Sequence, residues 1–124
     1  MNEAELEKIK IKALEEHIPI IMDDTLNVVG NLLGKIKPNA ILEIGTAVGY
    51  SAICFSKYLL DGGIIDTIER DHDRVEEAKK NIKLVDIADK INIIEGDAVE
   101  ILPTINKKYD AIFIDAAKGK YPFF

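Results

Sequence analysis

The chain is poor in several things, and each shortage excludes something. It has one cysteine, Cys54, in 124 residues. A single cysteine rules out an internal disulfide and suits a reducing, cytoplasmic setting. No apolar run approaches the roughly 18 residues a membrane span needs. The opening stretch, MNEAELEKIKIKALEEH, is charged throughout and lacks the apolar core of a signal peptide. Positive charge is in deficit: the formal net charge is −6. That argues against a chain-wide basic footprint for nucleic acid, though not against a local patch. Repeats, low-complexity tracts and linkers are also missing, so 1–124 reads as one domain.

What is present is a change of pattern near Pro38. Before it, Leu6, Ile9, Ala13 and Leu14 recur near helical spacing and predict a helix over 3–16. Pro19 interrupts it. A second helix follows, with Asp23 or Asp24 as its expected cap and Leu26, Val29, Leu33 and Ile36 as one apolar stripe. After Pro38 the runs AILEIG, GIIDTIE, KINIIEG and YDAIFIDA appear. Each is short and isoleucine-rich and closes on an acidic or small residue, as buried parallel strands do. Between them lie helical stretches at 50–60 and 71–85 and a short one after Asp97. In the middle one Val75, Ala78, Ile82 and Val85 share a face, with Asp71 as cap. Early acids (Asp73, Glu76, Glu77) and late lysines (Lys79, Lys80, Lys83) complement the helix dipole. Two leading helices followed by β-α-β-α-β-α-β predict an α/β fold with a parallel sheet and right-handed crossovers.

Four stretches sit at the carboxyl ends of these strands, where open α/β sheets bind ligands. LEIGTAVGYS is a strand, a glycine turn and a helix start. Gly45 and Gly49 let backbone approach a ligand closely, and the helix start offers N–H groups. A dinucleotide fingerprint would put glycines at 45, 47 and 50, but Ala47 and Tyr50 stand there. The same pattern would also serve a tight turn without a ligand. TIERD ends a strand on Glu69, placed to accept from ribose hydroxyls or to face solvent. GDAVEILP carries Gly96, Asp97 and Ala98. Asp97 suits a helix cap, and this tip also lies where an adenine would. IDAAKGKY carries Asp115, then Lys118 and Tyr121. It is either a surface ion pair or a metal ligand beside a general base. His17 and His72 show no ligand spacing, and Cys54 reads as a small core residue.

In this order the four stretches resemble the class I S-adenosylmethionine-dependent methyltransferases. More narrowly, they resemble the cation-dependent O-methyltransferases, which include catechol, caffeoyl-CoA and bacterial tRNA 5-hydroxyuridine enzymes. The resemblance spans nearly the whole chain and implies a Rossmann-like fold. It implies a cofactor site at Glu43, Gly45, Gly49, Tyr50, Ser51, Glu69, Gly96, Asp97, Ala98 and Asp115. It gives Asp115 a divalent cation, Mg²⁺ or another, and Lys118 the role of base. Residues 18–21 match a segment lying over the cofactor. The implied reaction is methyl transfer to a metal-activated hydroxyl, of 5-hydroxyuridine in tRNA or of a catechol-like small molecule.

The family sheet has seven strands and a later metal-binding Asp-Asn pair, and this chain supplies the first four strands. It is therefore expected to be truncated after the fourth, with an incomplete metal site and weak catalysis. The uncovered edge of that strand is expected to pair with another chain, as in a homodimer. The alternatives are a non-catalytic nucleoside-binding or dimerising remnant, and a nicotinamide oxidoreductase, which Ala47 and Tyr50 disfavour.

Overall fold

The structure is a computed structural model that describes residues 1–114. The element order is α1 (Glu3–Glu15), α2 (Asp23–Ile36), β1 (Ala40–Ile44), α3 (Tyr50–Ser56), β2 (Ile64–Glu69), α4 (His72–Leu84), β3 (Ile91–Glu95), α5 (Ala98–Ile101) and β4 (Ala111–Ile114). A single 3₁₀ turn, Leu102–Thr104, follows α5. All pairings are parallel, and the strand order is β3-β2-β1-β4. From β1 the chain builds outward to β3, then returns to place β4 on the other side of β1. With right-handed crossovers this reversal puts α3 and α4 on one face and α5 on the other. It also makes the β1/β4 carboxyl ends the switch point of the sheet.

The two faces are unequal. The helical face buries Leu6, Ile9 and Ala13 of α1, Leu33 of α2 and Ile53 and Phe55 of α3 against Ile41, Ile65 and Ile91. Each such large buried side chain contributes about 1.5–3 kcal/mol, so this layer dominates the core. Phe55 meets Phe113 of β4 edge-on, ring centroids 5.0 Å apart. The opposite face is a smaller cluster of Leu42, Ile44, Ile68 and Ala98, with Ile94, Ile101, Leu102, Ile105 and Tyr109 packed on it.

The middle helix forms as its sequence dictates. Asp71 caps α4 by accepting from the N–H groups of Asp73 and Arg74, and Val75, Ala78, Ile82 and Val85 are all buried. Three expectations need correction. Asp23 and Asp24 lie inside the first turn of α2, whose cap position is Met22 with no side-chain bond. There they favour the helix through its dipole instead. Leu14 and Ile36 are exposed, at 55% and 49%. Both stand in the last turn of their helix, Leu14 on the flank beside buried Ala13 and Ile36 on the flank that exposed Val28 and Leu32 share. The helix expected over 50–60 stops at Ser56, because Lys57–Leu60 turn back toward β2. There Leu60 donates its N–H to the Pro38 carbonyl at 2.9 Å.

Candidate functional site

The glycine turn leaves β1 at the switch point. Gly45 has φ 90° and Gly49 φ 88°, both left-handed, and Ala47 between them has φ 50°. A side chain at Gly49 would also press on α4, its Cβ 3.3 Å from the Ala78 Cβ. The turn closes on itself through the Gly49 N–H and the Thr46 carbonyl at 2.9 Å, while Gly45 N–H extends the sheet ladder to the Ile68 carbonyl at 2.8 Å.

Two strand carboxylates act around this turn, Glu43 on the helix start just beyond it and Glu69 on the turn itself. Glu43 is fully buried and pairs in register with Thr67 across β1 and β2. It accepts from Thr67 Oγ1 at 2.7 Å and from Ser51 Oγ, tying the start of α3 to the strand beneath it. Glu69, at the tip of β2 and 9% exposed, reaches sideways. Its Oε1 accepts the Ala47 N–H at 2.9 Å and its Oε2 the Asp71 N–H at 3.1 Å. That first bond fastens a non-glycine residue in a conformation costing about 1–2 kcal/mol. A carboxylate offers about four lone-pair sites, so Glu69 keeps capacity for two further donors.

The next strand tip stands beside Glu69. Gly96 N–H donates to the Glu69 carbonyl at 2.9 Å. Asp97 caps α5 through the Val99 N–H at 3.0 Å, and Ala98 is buried. His72 Nδ1 lies 2.9 Å from Glu95 Oε1, joining the start of α4 to the tip of β3. That carboxylate holds the exposed imidazole above its ordinary range.

Tyr50 and Ser51 lie with the glycine turn, but both are buried. Burial pushes the Tyr50 phenol far up, and Cys54 is its neighbour in that same core. Burial likewise raises the Cys54 thiol to about 11, as befits a core cysteine. Asp115, Lys118 and Tyr121 lie outside the described residues. Among the described residues, no three His, Cys, Asp or Glu side chains gather into a metal-holding group.

Three residues of the site were not singled out from sequence. Thr67 could have been, since a polar residue in an otherwise apolar buried run needs a partner. Thr46 Oγ1 is buried and without a hydrogen bond among the described residues. Asn81, 7% exposed, donates from α4 to the Val48 carbonyl at 2.8 Å.

A parallel open sheet, with a glycine turn at its switch point and an acid at the next strand tip, defines a Rossmann-like nucleotide-site architecture. The O-methyltransferase family model matches residues 3–124, and the chain belongs to that family. The catechol O-methyltransferase of Bos taurus is 30% identical over 99 residues, covering 76% of this chain and 36% of that one. That of Niastella koreensis is 38% identical over 85 residues, covering 65% and 38%. Among solved structures, the Bacillus cereus O-methyltransferase in complex with SAH superposes with a TM-score of 0.81 at 29% identity, covering 91% of this chain and 54% of that one. TomG of Streptomyces achromogenes, in complex with SAM, gives 0.81 at 28% identity, covering 90% and 53%. The chain thus spans about half the length of these solved relatives and a little over a third of the two catechol enzymes.

Proposed function

We propose that this chain carries the S-adenosylmethionine half-site of an O-methyltransferase. The observation behind it is the turn at the switch point, held by Glu69 from the side and followed by a helix start that Glu43 ties to β1 through Ser51. The donor set suits the cofactor. Glu69 has acceptor capacity left for two ribose hydroxyls. Gly96, Asp97 and Ala98 lie at the neighbouring strand tip, where an adenine would rest. Gly45 and Gly49 keep side chains away from the methionine portion, and Glu43 with Ser51 fixes the helix start just beyond the turn. Two structural relatives bind SAH and SAM, which supports the same ligand here. When bound, the cofactor supplies an electrophilic methyl on its sulfonium.

The acceptor in this proposal is a hydroxyl group. Relatives named catechol O-methyltransferases make a catechol-like small molecule the first class to test, and 5-hydroxyuridine in tRNA the second. The roles of Asp115 as cation ligand and Lys118 as base rest on the family resemblance. A non-catalytic nucleoside-binding role is the alternative, and a turnover assay separates the two. The same chain is proposed to associate through β4, whose Ile112 and Ile114 are 62% and 44% exposed.

Calorimetric titration with SAH, with and without Mg²⁺, tests the cofactor reading. Saturable binding is expected, weakened roughly tenfold or more in Glu69→Ala, about 1.4 kcal/mol. No binding by a chain shown to be folded would overturn it.

A further inference from the structure

Beside Glu69, the turn is held by a second side chain, from a residue that the family resemblance does not assign. Asn81 lies in the body of α4, a position where asparagine is a poor helix former. It is nonetheless 7% exposed and donates from Nδ2 to the Val48 carbonyl at 2.8 Å. Nearly one helical turn earlier, Ala78 packs under Gly49. Val48 and Gly49 share a peptide just beyond Ala47, itself held at positive φ by the Glu69 carboxylate. The two restraints act within one short turn from different elements. From β2, Glu69 fixes the 46–47 peptide by its N–H, and from α4, Asn81 fixes the 48–49 peptide by its C=O. Without Asn81 the buried Val48 carbonyl loses a donor, and the peptide is free to turn toward another one. Rotation there would carry the carbonyl away from α4 and reshape the backbone that Gly45 and Gly49 leave open.

We propose that Asn81 is a positioning residue for cofactor binding, keeping the 46–49 turn in its ligand-ready shape; this rests on the cofactor reading above. Apparent affinity falls in proportion to the fraction of chains whose turn is competent. If Asn81→Leu lowers that fraction to about one tenth, SAH binding weakens about tenfold.

The test compares the wild-type chain with Asn81→Leu and Asn81→Gln by SAH calorimetry and by amide hydrogen exchange without ligand. In Asn81→Leu, faster exchange at Ala47 and Gly49 is expected, with β1 and β2 amides unchanged and SAH binding about tenfold weaker. Asn81→Gln, which keeps the amide donor, should recover part of both. Unchanged exchange at the turn, or equal SAH affinity in a wild-type and leucine pair that both bind, overturns the proposal alone. A loosened turn in a protein whose wild-type form does not bind SAH overturns the cofactor reading, and this role with it. If Asn81→Leu fails to fold, Asn81→Gln and Asn81→Ser carry the comparison, and parallel loss in turn and strands for both would reduce Asn81 to a packing residue.

Discussion

At the scale of residues, the site is a set of backbone conformations kept in place by side chains some distance away in sequence. Ala47 and Gly49 make the point by contrast, because both have positive φ, at 50° and 88°, and only one is glycine. Ala47 bears a cost of about 1–2 kcal/mol for a left-handed L-residue, offset by its bond to Glu69. Replacing it with glycine removes that cost and adds roughly 0.5–1 kcal/mol of unfolded-state entropy. Ala47→Gly is therefore expected to be neutral or to stabilise by up to about 1.5 kcal/mol. Gly49→Ala meets both penalties at once: the wrong φ and a Cβ 3.3 Å from Ala78. It should destabilise by about 1–3 kcal/mol. Urea midpoints of the two variants, at unchanged slope, check the pair. Similar losses in both would mean that the turn is not held as described.

At the scale of elements, the strands and the caps were the legible part. Four apolar runs became four parallel strands, and Asp71 and Asp97 cap the helices their positions suggested. Backbone hydrogen bonding and burial act locally there, so composition suffices. What stayed hidden depends on contacts distant in sequence. Nothing near Asn81 announces a partner at Val48, and nothing in GIIDTIE tells that Thr67 serves Glu43 while Asp66 serves the other face. Asp66 is the clearest case of such a contact. From β2 it accepts from Asn92 Nδ2 at 3.2 Å, Lys107 Nζ at 3.0 Å and Tyr109 OH at 2.8 Å. It thereby pins the segment leading into β4. Burial acts to raise its carboxyl, but the bonds from Lys107, Tyr109 and Asn92 outweigh it, and the net shift is downward. Burial and the Asp66 carboxylate push the Tyr109 phenol up to about 12. A lowered folded-state value means stability that is fully present above the unfolded aspartate's value, about 3.9, and lost as pH falls through the folded one. Asp110, which accepts the N–H groups of Asn39 at 2.7 Å and Ala40 at 3.0 Å, is lowered as well and acts in the same window. Urea midpoints should therefore rise slightly as pH falls from about 7 to about 6, where His72 protonates beside Glu95, then hold to about 5 and drop below about 4. Asp66→Asn should lower the neutral plateau and flatten part, not all, of the acid limb. An acid limb of unchanged steepness would remove Asp66 from the account.

At the scale of the whole molecule, the described residues cover the sheet well on one face and thinly on the other. Helices α1 to α4 share the first face, while α5 and its 3₁₀ turn cover the second. β4 pairs with β1 alone among the described residues, and Ile112 and Ile114 project from the thin face. An apolar strand whose outer edge has no partner among the described residues is a template for another chain. Its energetic reward is larger than that of scattered surface apolar groups, because the backbone donors and acceptors of the edge are satisfied in the same event. The chain of 124 residues is accordingly expected to self-associate as its concentration rises, in sedimentation velocity. Lysine at the edge works against this by charge, and Ile112 is exposed enough for Ile112→Lys to cost little folding stability. The variant should remain monomeric over the range in which the parent associates, with a folding stability within about 0.5 kcal/mol of it. Association that persists in Ile112→Lys would move the contact off β4. The exposed Val28, Leu32 and Ile36 of α2 would be the next surface to change, since they recur every fourth residue along one flank of that helix.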